Sequence, residues 1–195
     1  MSVNPETHEG NTPLDPDESD GLIPTHITTQ GALNEWEQAN ILEAEQWAFA
    51  RKRSDWLSMD FIFELHRRMF ADTWTWAGTT RTREKTIGVA VSAVRPDLLD
   101  LLRDTAHWIE HKTYEVDEIA ARFHHRLVQI HVFSNGNGRH ARLMTDVILS
   151  HLGRSRFSWG SADLYRKGDA RDRYLAALKE ADRSNLKPLF AFVRT

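Results

Sequence analysis

The sequence predicts an all-α domain, and three observations carry that reading. Seven stretches space their apolar residues at helical intervals. A single segment, residues 78–94, is rich in β-branched side chains, among them Thr79, Thr80, Thr82, Thr86, Ile87, Val89, Val91 and Val94. Two of the helix candidates meet at a glycine-rich turn, His131 to Arg142, around which the rest reads as scaffold. With 195 residues and 41% hydrophobic content, the chain is long enough for one domain with a sizeable core.

Residues 1–20 hold three prolines, six acids and no lysine or arginine. They cannot bury enough apolar surface to offset chain entropy, so a disordered acidic lead-in is expected. An acidic arm docked on a basic face is the alternative. The folded domain is then expected over residues 21–195, beginning with a fitted extended segment at 21–29.

Residues 33–53 form the first helix candidate, with Ile41, Ala44 and Ala48 on one face and Arg51-Lys52-Arg53 at its end. Ser58 is placed to cap the second, where Phe61, Leu65 and Met69 recur every four residues. Trp74 and Trp76 follow and read as core. Residues 78–94 are expected as a short two-stranded hairpin, with an irregular loop as the alternative. Pro96 opens the third helix, whose stripe is Leu98, Leu101, Leu102 and Ile109. The fourth spans residues 117–130 and points Ile119, Phe123, Leu127 and Ile130 inward. The fifth, residues 139–152, is apolar on two sides and so reads as central and buried, with Gly153 as its stop. Residues 169–182 and 188–193 complete the set.

The net charge of −3 argues against a general nucleic-acid or membrane-surface binder, although residues 21–195 alone carry a small positive excess. There is no cysteine, hence no disulfide frame and no thiolate nucleophile. No apolar run reaches membrane-spanning length, and the first residues lack the basic start and apolar stretch of a secretory signal. A cytoplasmic location is expected.

The turn itself reads His131-Val-Phe-Ser-Asn-Gly-Asn-Gly-Arg-His-Ala-Arg142. Gly136 and Gly138 around Asn137 let backbone N–H groups turn inward as an anion nest. The start of the next helix adds unpaired N–H donors and the positive end of its dipole. Arg139 and Arg142 are three apart, on neighbouring positions of one helical face. Such a site suits a polyphosphate, with His131 placed to act on what meets it. The plain alternative is a connector turn beside a structural histidine. His124 and His125 point about 100° apart on a helix, so they make a poor chelating pair.

In its ordered combination, the turn resembles the signature of the Fic family, His-x-Phe-x-Asp/Glu-Gly-Asn-Gly-Arg-x-x-Arg. It departs at one fixed position, where Asn135 replaces the acid. The resemblance extends more loosely over residues 30–195. It implies the Fic fold, a helical bundle around a central helix with a short β-hairpin flap over the site. The activity it implies is transfer of AMP from ATP to a protein hydroxyl. His131 would be the base that takes the target's proton, and Phe133 a buried anchor. Gly136, Asn137 and Gly138 would cradle the α- and β-phosphates, while Arg139 and Arg142 would hold the terminal ones. Asn135 would be a weak Mg²⁺ ligand, since an amide oxygen brings no charge. The flap, with Arg81 and Ile87, would dock an extended target segment.

Many Fic proteins carry an inhibitory helix whose glutamate pairs with the second signature arginine. The stretch Leu33-Asn34-Glu35-Trp36-Glu37-Gln38 matches that motif only in part, with Glu37 the candidate and Glu35 behind it. The plain reading is two solvated acids near a helix start. The chain is most similar to the bacterial branch called mobile mystery protein B, which implies a toxin–antitoxin-like pairing with a small helix-turn-helix protein. Three functions follow: an adenylyltransferase using ATP and Mg²⁺ on a Ser, Thr or Tyr of a target protein; a catalytically altered or inactive Fic module that binds nucleotide or a protein; and, disfavoured by charge, a nucleic-acid binder.

Overall fold

A computed structural model describes residues 21–27, 29–161, 164 and 168–195; the expected disordered segment 1–20 lies outside the described residues. The helices are α1 (Gln30–Phe49), α2 (Met59–Phe70), α3 (Val94–His111), α4 (Val116–Ile130), α5 (Asn137–His151), α6 (Asp169–Asp182) and α7 (Lys187–Phe192). Short 3₁₀ turns at Val91–Ala93 and Trp159–Ser161 join them.

Local chemistry explains most boundaries. Ser58 Oγ accepts from Phe61 N–H at 3.1 Å and caps α2. Pro96 falls in the first turn of α3, where its missing N–H costs no helical bond. Gly153, at φ +73°, stops the chain after α5. The first helix ends at Phe49 rather than at Arg53. Arg53 instead folds back, its guanidinium 4.3 Å from the centre of the Trp47 ring and its N–H donating to His151 Nε2.

The helix pair α4–α5 forms the centre. One core joins α1 through α5, with Phe61, Leu65, Met69, Leu98, Phe123, Ile130, Met144 and Val147 all buried. A second lies on the other flank, where Ala120, Ala121 and Leu149 meet Tyr174, Ala177 and Leu189. Because α4 and α5 serve both, they are buried on two sides, as the composition of α5 predicts. The segment after Gly21 runs along residues 73–75: Ile23 N–H donates to Thr73 O and Thr75 N–H to Gly21 O, each at 2.9 Å.

The expected hairpin is not formed as strands. Among the described residues the only β pairing is an isolated bridge between Leu22 and Trp74. Residues 78–90 are irregular, and the reason is Arg81. Its guanidinium takes the carbonyls of Arg83 and Val89, which a ladder would have used, and also reaches the carbonyl of His131. Residues 91–93 then coil into α3. Among the described residues, no helix is long and apolar enough to cross a membrane.

Candidate active site

His131 ends α4 in the left-handed conformation, φ +57°. Its N–H reaches Leu127 O at 3.4 Å, and its own carbonyl accepts from Arg81 Nε at 2.6 Å. The flap segment closes on both sides of it: Arg81 N–H donates to Val132 O at 3.0 Å and Val89 N–H to Ile130 O at 3.5 Å. Gly88 lies directly on the histidine. A Cβ there would stand 2.7 Å from His131 Cβ, and its φ of +108° excludes most side chains. His131 is therefore only 4% exposed. Burial, together with Arg81 and Lys85 nearby, lowers its pKa to about 4, against a smaller opposing pull from the Val128 backbone. Burial thus favours the neutral imidazole.

Arg81 was expected on the docking face. At 1% exposure it faces no target and acts as an internal clamp between flap and base. Ile87, on the same segment, is 47% exposed.

The loop after His131 is held from within. Asn137 Oδ1 accepts from Phe133 N–H at 2.9 Å and its Nδ2 donates to Phe133 O at 2.8 Å. Its side chain is a brace, so only its backbone can line the nest. The first ladder bond of α5 is His140 N–H to Gly136 O, which places the N–H groups of Asn137, Gly138 and Arg139 ahead of the ladder. Gly136, at φ +76°, has no room for a side chain: a Cβ would come within 2.6 Å of the Phe70 ring.

His66 was missed in the sequence, where it reads as part of an apolar helix face. It is fully buried and stacks on Phe133, ring centres 3.6 Å apart. Its Nδ1 accepts from Gly78 N–H at 3.0 Å, so Nε2 carries the proton and donates to Asn135 O at 3.1 Å. One neutral ring therefore ties the flap entry to the phosphate loop. His140 is also buried and bonds Ile62 O at 3.0 Å.

The two signature arginines leave α5 toward different partners. Arg139 lies over Phe70, 4.7 Å from the ring centre, and pairs with Glu37. Glu37 is 5% exposed, not a solvated acid, and its other oxygen accepts from Trp74 Nε1 at 2.7 Å. It thus engages the first arginine, where the resemblance implied the second. Arg142 reaches back one turn along α5, its Nη1 3.7 Å from where a Cβ on Gly138 would stand.

Asn135 Oδ1 accepts from Gly136 N–H at 2.6 Å, and the described residues contain no cluster of three or more acids, histidines or cysteines that could hold a metal. Asp146, the nearest acid on α5, is turned to Phe157 N–H and Trp159 Nε1; burial raises its pKa to about 7. The residues present do not make a magnesium site on their own. A hollow of about 410 Å³ between α3 and α4, lined by Asp97, Asp104, Arg122 and Arg126, contains no signature residue.

Known proteins align with this arrangement. The model of the Fic/DOC family matches residues 56–149, which include the flap and the whole signature. Protein adenylyltransferase fic-1 of Caenorhabditis elegans is 33% identical over 148 residues, covering 73% of this chain and 27% of that protein. The chain thus spans about a quarter of that relative's length. The structure of BepC from Bartonella tribocorum with bound AMPPNP superposes with a TM-score of 0.71 at 17% identity, over 91% of this chain and 95% of that one; this shows a shared fold. The structure of Fic-1 from C. elegans gives 0.70 at 27% identity, over 91% and 51%.

Proposed function

The chain belongs to the Fic/DOC family, and from that premise we propose that it transfers AMP from ATP to a hydroxyl side chain of a target protein. The observation that supports this best is the placement of His131, buried at the end of α4 just before the α5 N-terminus, with the signature in register. Donors ahead of the α5 ladder would hold the α- and β-phosphates. Arg142, folded over Gly138, would meet the terminal phosphates, joined by Arg139 once Glu37 lets go. A Ser, Thr or Tyr oxygen would then attack the α-phosphorus while His131 takes its proton, and pyrophosphate would leave. Magnesium would arrive on the nucleotide, with Asn135 at most a neutral contact.

The exposed Ile87 suits a target segment laid along the flap, above the base that Gly88 covers. A cytoplasmic location fits such a substrate. A small helix-turn-helix protein would be its outside, antitoxin-like partner if the chain belongs to the branch that its sequence resembles. Incubation with ATP and Mg²⁺, followed by intact mass measurement of the protein and of added lysate, tests the reaction. A mass gain of one AMP on either supports it; nucleotide binding with no covalent product on any protein overturns it.

Asn135 favours the second reading, an altered or inactive module, and one substitution separates the two. Asn135→Asp keeps an acceptor for Gly136 N–H and adds charge toward a nucleotide-borne cation. Transfer should rise on the order of tenfold, the worth of one charge-assisted contact, and only with Mg²⁺ present. If Asn135→Asp instead weakens nucleotide binding at saturating Mg²⁺, the carboxylate is repelling bare phosphate and the altered-module reading moves ahead.

A further inference from the structure

Tyr174 lies on α6, outside the residues that the family model matches, and the chemistry above makes no use of it. It is 5% exposed. Its hydroxyl stands 2.9 Å from His124 Nε2. The Arg142 guanidinium bonds to the same hydroxyl, with its carbon 5.7 Å from the Tyr174 ring centre.

The protons along these contacts can be placed. The Thr145 hydroxyl donates to Ala141 O at 2.7 Å, so toward His124 Nδ1, 3.5 Å away, its oxygen can only accept. Nδ1 therefore carries the ring proton. Burial, with Arg142 nearby, lowers the His124 pKa to about 3, so the ring is neutral and Nε2 is a bare acceptor. Tyr174 must donate its hydroxyl proton to Nε2. Only lone pairs then remain on its oxygen, and guanidinium offers only donors.

We propose that Tyr174 is a positioning residue for Arg142: its hydroxyl, oriented by His124, holds the guanidinium over Gly138 in the pose that meets the terminal phosphates of ATP. The inference rests on the nucleotide reading given above. It makes α6 part of the phosphate site, although α6 lies beyond the signature. A tyrosine that only filled the second core could be replaced by phenylalanine without consequence for nucleotides.

The test is calorimetric titration of the full chain with ATP and with AMP, comparing wild type, Tyr174→Phe, Arg142→Ala and the double variant. Tyr174→Phe should weaken ATP about tenfold, the worth of one hydrogen bond to a charged group, and leave AMP unchanged. In the Arg142→Ala background it should add nothing. Should Tyr174→Phe fold poorly, His124→Gln and His124→Leu carry the same test. The amide oxygen of Gln can accept the Tyr174 proton and should preserve ATP binding, while Leu should not. Equal losses for ATP and AMP, additive effects of the two substitutions, or equal behaviour of Gln and Leu would overturn the inference alone. ATP binding that ignores Arg142→Ala would overturn the nucleotide assignment as well.

Discussion

Replacing His131 with alanine is expected to slow transfer by about 10²–10⁴-fold while ATP binding stays within about twofold, because a positioned base contributes to the rate on that scale. The imidazole is the group beside the phosphate loop that can take a proton at neutral pH. The loop itself is braced by Asn137 and His66, which the substitution does not touch. The Arg81 clamp also survives, since it grips the His131 carbonyl. Position 131 is left-handed, where alanine carries a conformational cost and asparagine carries less. His131→Asn should therefore lose activity equally with less loss of stability. The pH profile carries the same assignment. With a pKa of about 4, the base form prevails above that value, so the rate should fall as pH drops through it and stay level from pH 5 to 8. A bound polyphosphate would shift the fall upward by favouring the protonated ring. Transfer by His131→Ala at the wild-type rate would remove His131 from the mechanism.

Glu37→Gln should raise ATP affinity and transfer by roughly tenfold, in exchange for a lower melting temperature. The carboxylate holds Arg139 against Phe70, away from any ligand at the loop. Glutamine keeps an oxygen for Trp74 Nε1 and removes the charge that competes with phosphate. Breaking a buried ion pair can cost about 3–5 kcal/mol when the remaining charge is stranded. Here the cost should be smaller, since the Arg139 side chain is 17% exposed and can turn to water. Transfer measured beside thermal unfolding distinguishes two roles. A brake gives faster transfer with reduced stability. Slower transfer and weaker ATP binding would show that Glu37 orients Arg139 for the nucleotide.

The helices were legible because their apolar spacing survives any arrangement: Phe61, Leu65 and Met69 had to face a core, whichever one it was. The turn from His131 to Arg142 was legible because its residues act as near neighbours. What stayed hidden depends on approach across the chain. Arg81 in a β-prone stretch gives no sign that it will fill the carbonyls of Val89 and His131 in place of a strand. The resemblance names Glu37, but its burial and its choice of Arg139 emerge only when α1 lies against Trp74, held by Asn40 Nδ2 on Thr73 and Trp36 Nε1 on Asp72. His66 and Tyr174 look like ordinary core residues, and their roles emerge only when the flap entry and α6 close on the signature.

The buried histidines have a consequence for the whole molecule in acid. His131 and His140 bind protons only near pH 4, His124 near 3, and His66 well below the ordinary value, whereas all four take them up at about 6.5 once the chain opens. Between those limits the open chain binds more protons, so each such ring draws the equilibrium toward unfolding as pH falls from 6.5 toward 4. Asp146 pulls the other way, being protonated below about 7 in the fold and only below the usual carboxylate range outside it, but it is one group against four. Melting temperature should therefore decline steadily across that interval and level off above it. A flat curve there would mean that the rings reach solvent protons without unfolding. Acid would thus weaken the scaffold through the same buried rings that shape the site.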